Sequence, residues 1–123
     1  MYYLPDTLIR LILGVSHGDI RPLACSVQLV AELLFRDKVH IDEIHMGKCV
    51  YSAAAKQLGK STHAIAKAVE RLCLQCWTSG DRELMQKIAG WTVLVPCTPR
   101  ETILYLAFYA QHGASMRDAL MKP

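Results

Sequence analysis

The stretch "AAAKQLGKSTHAIAKAVERL", residues 53–72, consists of helix-forming residues on both sides of a single glycine, Gly59. Glycine in a helix interior costs about 1 kcal/mol relative to alanine, so Gly59 is expected between two helices rather than inside one. The pattern predicts a first helix from about Lys48 to Leu58 and a second from Thr62 to about Thr78. Two helices joined by a tight turn that contains glycine form a helix-turn-helix unit.

The residues around Gly59 meet the packing requirements of such a unit. Ala55, four residues before the glycine, is small where the second helix has to cross close above the first. Helical spacing divides the second helix into two opposite faces. The face predicted to be buried carries Ile65, Val69, Leu72 and Cys76, and the face predicted to be exposed carries His63, Lys67, Glu70 and Arg71.

The net charge of +3 is distributed unevenly along the 123 residues. Residues 1–46 hold four Lys or Arg against six Asp or Glu, residues 79–123 hold five against four, and residues 47–78 hold five against Glu70 alone. The positive excess therefore falls on the predicted helix pair. An ordinary solvated basic face would have this composition, and so would the electrostatic footprint of a protein that binds a polyanion. Together with the helix pair, the charge predicts that the second helix enters the major groove of duplex DNA.

Eight residues are the candidate DNA-binding residues, and they divide by chemistry. Lysines are compact point charges that suit phosphates, hydroxyls at the turn can donate to phosphate, and the exposed face of the second helix can reach base edges. The predicted phosphate contacts are Lys56, Lys60, Ser61, Thr62 and Lys67. The predicted base-edge contacts are His63, Lys67 and Arg71. Glu70 is expected to oppose non-specific binding and to be able to accept from a cytosine amine.

Helical signals also cover the chain upstream of the pair. Asp6 is predicted to cap a first helix, and a glycine-containing loop follows it. Pro22 is predicted in the first turn of a second helix that runs to about Phe35. Residues 36–47 are polar and are expected to form a connection with one helical turn.

Downstream of the pair, cap residues mark the helix ends. Gly80 is predicted to be a left-handed C-cap of the long helix. Asp81 is predicted to cap a short helix that runs to Ile88 and is closed by Gly90. The sequence "TPRE", residues 98–101, is a capping box that begins a last helix ending at about His112. The apolar stretch "WTVLVPC" has no partner strand and is expected to be extended. The whole chain, residues 1–123, is thus predicted to be one compact all-α domain of five to six helices.

The cysteines and histidines do not form a complete metal or catalytic set. Five cysteines are an odd number, scattered through apolar segments, which favours reduced, buried thiols in a cytoplasmic protein. Cys73 and Cys76 are spaced like half of a zinc site, but no second pair follows. The sequence "HIDEIH", residues 40–45, holds four side chains able to ligate a metal within a polar connection. We expect no metal, no cofactor and, because no nucleophile and base are brought together, no enzymatic activity.

Membrane insertion is also not expected. A helix that spans a bilayer needs about 20 consecutive apolar residues, and the apolar runs of this chain are far shorter.

The stretch "VYSAAAKQLGKSTHAIAKAVERLCLQCWTSGD" resembles the C-terminal effector domain of the response regulator that initiates sporulation in endospore-forming bacteria. The residues that match in spacing are Tyr51, Ala55, Lys56, Val69, Trp77, Ser79 and Gly80. Gly90 and Thr92 extend the similarity into "AGWTVLVPCTPRETILYLAFYA", so that it covers roughly residues 8–112. The resemblance implies an all-helical domain that binds operator DNA, in tandem copies that contact RNA polymerase, and a role in transcriptional regulation. Its candidate partners are therefore duplex DNA, RNA polymerase and a second copy of the chain on DNA.

The chain departs from that family in its second helix. One recognition-helix arginine is replaced by Ala64 and another by Glu70, so the family's operator specificity is not transferred to this chain. The family's receiver domain has no counterpart in these residues, so the chain is either complete as written or the effector part of a longer protein. The alternative function is a protein-interaction module that keeps the helix-turn-helix fold and has lost DNA binding. The surface of Ala64, Ala66 and Glu70 separates the two functions, because it is poor for reading bases and acceptable for a protein contact.

Overall fold

The computed structural model describes residues 1–121, and in this range the protein is helical without any β-strand. The seven α-helices of the described chain are α1 (Pro5–Leu13), α2 (Arg21–Ala31), α3 (Ser52–Leu58), α4 (Thr62–Thr78), α5 (Arg82–Ala89), α6 (Pro99–His112) and α7 (Met116–Met121). The predicted all-α fold is therefore confirmed. The helix count is one above the predicted upper limit because α7 was not predicted.

Two π-helical segments lengthen the helices on either side of the polar connection. One, Glu32–Arg36, continues α2, and the other, Met46–Tyr51, leads into α3. A short 3-10 helix, Ile41–Glu43, lies between them. The predicted end of the second helix near Phe35 and the single helical turn in the connection are confirmed.

Most predicted caps are present as hydrogen bonds. Asp81 accepts from the backbone N–H of Leu84 over 3.1 Å at the start of α5. The capping box of α6 is complete, because the Thr98 hydroxyl accepts from the Glu101 N–H and the Glu101 carboxylate accepts from the Thr98 N–H. These bonds satisfy backbone donors that have no partner inside a helix, so the local sequence determines where both helices begin.

Two predicted caps are wrong. The first helix begins at Pro5, with Leu4 as its N-cap, and Asp6 accepts only from the neighbouring Thr7 N–H. Proline is favoured at the first helical position because it has no N–H that needs an acceptor. The helix therefore starts at Pro5, one residue before Asp6. Gly80 is not left-handed either, since the residues with positive φ in the described chain do not include it.

Gly80 is required by close packing instead. A Cβ atom at this position would lie 2.6 Å from the carbonyl oxygen of Cys76 and 2.7 Å from Cγ2 of Ile12. Next to it, the Asp81 N–H donates to the Ile12 carbonyl over 2.8 Å. The end of α4 therefore lies directly against the end of α1, where a side chain does not fit.

One hydrophobic core joins the helices. Helix α2 packs against α1, α3, α4 and α6, and α6 packs against α1, α4, α5 and α7. The predicted buried face of α4 is confirmed, since Ile65, Val69, Leu72 and Cys76 are each fully buried. Burial of an aliphatic side chain of this size contributes roughly 1.5–3 kcal/mol, so this face fixes how α4 rotates about its own axis and which residues it presents to solvent.

The side chain of Arg100, in α6, binds the polar connection of residues 36–47. The Arg100 guanidinium donates to the carbonyl oxygens of Ile44 over 2.6 Å and Ile41 over 2.8 Å. Both acceptors lie in or next to the 3-10 helix. The connection is thus held at the start of α6, beside the entry to α3.

No helix within residues 1–121 combines the length and the apolar character needed to cross a membrane.

Candidate nucleic-acid interface

Gly59 separates two helices, α3 and α4, as the sequence predicts. Gly59 adopts φ 66° and ψ 37°, a left-handed conformation that favours glycine, and ends α3. The N–H of Lys60 donates to the Ala55 carbonyl over 3.0 Å. Ser61 then caps α4, with its hydroxyl oxygen accepting from the Ala64 N–H over 3.1 Å. Three residues, 59–61, are therefore enough to end one helix and begin the next.

All eight predicted DNA-binding residues are exposed. Lys56 lies in the last turn of α3, and residues 60–62 form the turn and the first position of α4. The others, His63, Lys67, Glu70 and Arg71, lie on the face of α4 opposite its buried residues. Because His63, Lys67 and Arg71 are each four residues apart, about one helical turn, they follow one line along the helix.

Most of these cations have no carboxylate partner. Lys56, Lys67 and Arg71 form no ion pair with any carboxylate of residues 1–121. Glu70, although next in sequence to Arg71, is not paired with it. The positive charge of this face is therefore available to an external anion.

Lys60 is the exception, and its partner was not predicted. Its Nζ lies 3.9 Å from Oδ2 of Asp19, which belongs to the loop before α2. The same carboxylate binds the Arg21 guanidinium twice, with Nε 2.9 Å from Oδ1 and Nη2 3.0 Å from Oδ2. These hydrogen bonds from Arg21 lower the pKa of Asp19 to about 2, so the carboxylate is ionised under any ordinary condition.

The loop that carries Asp19 is attached to two helices. Nη1 of Arg10, in α1, donates to the carbonyl oxygens of Val15 over 3.1 Å and His17 over 2.5 Å. Nε2 of His17 lies at hydrogen-bonding distance, 3.0 Å, from Oε1 of Gln75 in α4. The position of Asp19 beside the turn is thus part of the fold. No sequence pattern indicated it, because the contact joins residues far apart in the chain.

The side chains considered as metal ligands are not brought together. Within residues 1–121, no group of three or more His, Cys, Asp or Glu side chains lies close enough to hold a metal ion. His40 of the "HIDEIH" sequence uses Nδ1 to accept from the Asp42 N–H over 3.1 Å. Cys73 and Cys76 are buried in α4, and burial raises the pKa of both thiols, that of Cys76 to about 12. Both are therefore protonated core side chains at neutral pH.

The two tryptophans differ in environment. Trp77 is partly buried against the core and donates from Nε1 to the Thr102 hydroxyl. Trp91 is 46% exposed and lies near Leu94 and Val95 in sequence, which are 83% and 73% exposed. The extended stretch between α5 and α6 therefore presents apolar side chains to solvent.

No family model, curated protein or solved structure matches the chain. The resemblance of residues 8–112 to the sporulation regulator's effector domain consequently stays a prediction.

Proposed function

We propose that the protein binds duplex DNA through the N-terminal half of α4 and the turn at residues 59–61, and that it acts as a transcriptional regulator. The observation that carries the proposal is the row of exposed cations on α4, of which Lys67 and Arg71 are unpaired within the described chain. Cations on an exposed helix face that have no carboxylate partner can neutralise DNA phosphates and release their counterions.

The shape of the region suits this role. The major groove is about 12 Å wide and admits one α-helix. Helix α4 is anchored on one face by five buried side chains, and its opposite face is solvent-exposed. In the proposed complex Lys56, Lys60 and Lys67 bind phosphates, with Ser61 and Thr62 donating hydroxyl hydrogen bonds at the turn. His63, Lys67 and Arg71 reach base edges.

Specificity in this proposal is weak compared with that of an arginine-rich recognition helix. Arginine is the commonest reader of guanine because its planar fork donates two hydrogen bonds. The exposed face of this chain has Arg71 as its single arginine, at the C-terminal end of the face beside the acidic Glu70, and Ala64 is exposed at the start of the helix. We therefore expect phosphate contacts to dominate the affinity. Recruitment of RNA polymerase and binding as a pair of copies on DNA belong to the same proposal.

The test is a binding titration of a short labelled duplex of mixed sequence at several salt concentrations. Lys60, Lys67 and Arg71 are replaced together by alanine. The loss of the Lys60 and Lys67 phosphate contacts makes the slope of log affinity against log salt shallower by about 2, and the loss of the Arg71 charge adds up to about 1 more. The matched control replaces three other exposed cations, Arg82, Lys87 and Arg117, by alanine. This control removes the same charge and should change the slope much less.

Equally poor binding by wild type and by the Lys60/Lys67/Arg71 variant at low salt would contradict DNA binding. The alternative, a protein-interaction module, would then replace it. That alternative is favoured by one observation, the exposed apolar side chains of Leu94 and Val95, because exposed apolar patches mark protein contacts.

A further inference from the structure

Lys60, in the proposed interface, and Arg21, at the start of α2, share the carboxylate of Asp19. Asp19 accepts from the Arg21 guanidinium in the two-pronged geometry that a carboxylate and a phosphate have in common. Its Oδ2 atom also faces the Lys60 ammonium. Because both cations reach the same oxygen atom, a single phosphate oxygen in that place can contact both.

The arrangement is not explained by stability. The side chains of Arg21, Lys60 and Asp19 are 67%, 42% and 40% exposed, and exposed ion pairs contribute little to the free energy of unfolding. Yet the loop that holds Asp19 in place is fixed by Arg10 and by His17 with Gln75. The fold thus keeps a negative charge beside Lys60, in the turn that leads into α4.

We propose that Asp19 is an internal competitor of DNA phosphate, and that Arg21 is a further phosphate-binding residue of the α4 interface. This inference rests on the proposed function. In the free protein Asp19 neutralises part of the charge of Arg21 and Lys60. On DNA a phosphate takes over the guanidinium and the ammonium, and the Asp19 charge opposes binding. Asp19 therefore lowers the affinity for any duplex, whatever its sequence.

The substitution Asp19→Asn removes the negative charge of this side chain and changes its shape little. Oδ1 of Asp19 also accepts from the Arg21 N–H over 3.0 Å, and an asparagine side-chain oxygen can keep this bond. The control is Glu83→Gln, which removes one negative charge in α5, beyond the C-terminal end of α4 and so at the opposite end from Lys60. Circular dichroism is recorded for each variant to verify helix content.

The readout is the salt-dependent affinity for the same mixed-sequence duplex. We expect Asp19→Asn to bind about eightfold more tightly near 0.1 M salt, the value of one phosphate contact, with a slope steeper by about 1. Arg21→Ala should bind more weakly by a similar factor, with a slope shallower by about 1. Glu83→Gln should bind like wild type.

The possible failures are distinguishable. A wild-type protein that binds no duplex at low salt overturns the proposed function. If wild type binds but Asp19→Asn behaves like Glu83→Gln or binds more weakly than wild type, Asp19 is not a competitor. If Arg21→Ala binds like wild type, Arg21 is not part of the interface. In the last two cases DNA binding by α4 stands and this inference alone is wrong.

Discussion

The indole Nε1 of Trp77 donates a hydrogen bond to the hydroxyl oxygen of Thr102 over 2.9 Å. Thr102 is fully buried in α6, and its hydroxyl donates in turn to the Thr98 carbonyl over 2.8 Å. Trp77 lies in the last turn of α4. One hydroxyl therefore satisfies a partly buried indole and joins the C-terminal end of α4 to the start of α6.

Thr102→Val should lower the free energy of unfolding by about 1–3 kcal/mol, because it keeps the side-chain volume and leaves the indole N–H without its acceptor. The measurement is urea denaturation in the wild-type and Trp77→Phe backgrounds. Phenylalanine has no N–H, so the cost of Thr102→Val should fall by about 1 kcal/mol there. An identical cost in both backgrounds would mean that the hydrogen bond contributes nothing.

Substitutions of Gly80 and of Gly59 should destabilise the protein for different reasons. At Gly80 the obstacle is packing against Cys76 and Ile12, so alanine and asparagine should both destabilise the fold, by about 1–3 kcal/mol or more. At Gly59 nothing lies within 4 Å of an added Cβ, and the only obstacle is the left-handed backbone. Alanine there should cost about 1–2 kcal/mol and asparagine less, because asparagine tolerates this conformation. Thermal denaturation of the four variants checks the prediction, and tolerance of asparagine at position 80 would refute it.

Stability should decline at alkaline pH because of the buried thiols. Free cysteine ionises at about pH 8.5, whereas burial raises the pKa of both Cys73 and Cys76, that of Cys76 to about 12. Above pH 8.5 the unfolded chain releases protons that the folded chain keeps, so the free energy of unfolding falls as pH rises. Each thiol contributes up to about 1.4 kcal/mol per pH unit until its folded pKa is reached.

The measurement is the urea midpoint as a function of pH. A Cys73→Ala/Cys76→Ala variant should show a shallower decline, whatever its stability at neutral pH. The control is Cys49→Ala, which removes an exposed thiol and should keep the wild-type slope. Equal slopes for all three proteins would exclude the buried thiols as the cause.

Glu70→Ala should tighten non-specific DNA binding. Glu70 is exposed on the proposed interface and has no ion-pair partner in residues 1–121, so its charge meets phosphates directly. Fluorescence anisotropy with a mixed-sequence duplex measures the effect, with Glu83→Ala as the control for loss of one charge. Weaker binding by the Glu70 variant would indicate a specific contact such as one to a cytosine amine.

Local signals predicted the helix ends that depend on local hydrogen bonds. The capping box at Thr98, the Asp81 cap and the helix end at Gly59 involve residues within three or four positions of each other. The same holds for the buried face of α4, because helical spacing alone determines which residues share a face. These features required no knowledge of the neighbouring helices.

The missed features depend on distant contacts. Helix α7 has six residues, too short to be stable alone, and it forms against α5 and α6. A Cβ at Gly90 would lie 2.6 Å from the Ser115 hydroxyl oxygen, just before this helix. Gly80 resembles a C-cap glycine in sequence, but glycine is needed there because a Cβ atom would collide with Ile12.

The sequence by itself determined that the chain is helical, where most helices begin and end, and which residues of α4 face solvent, since these follow from backbone conformation and helical periodicity. Only the tertiary structure decided how the helices pack and which charges meet. It brought Asp19 beside Lys60 and left Lys67 and Arg71 without partners in the described chain, because electrostatic contacts depend on distances in space that sequence separation does not reveal.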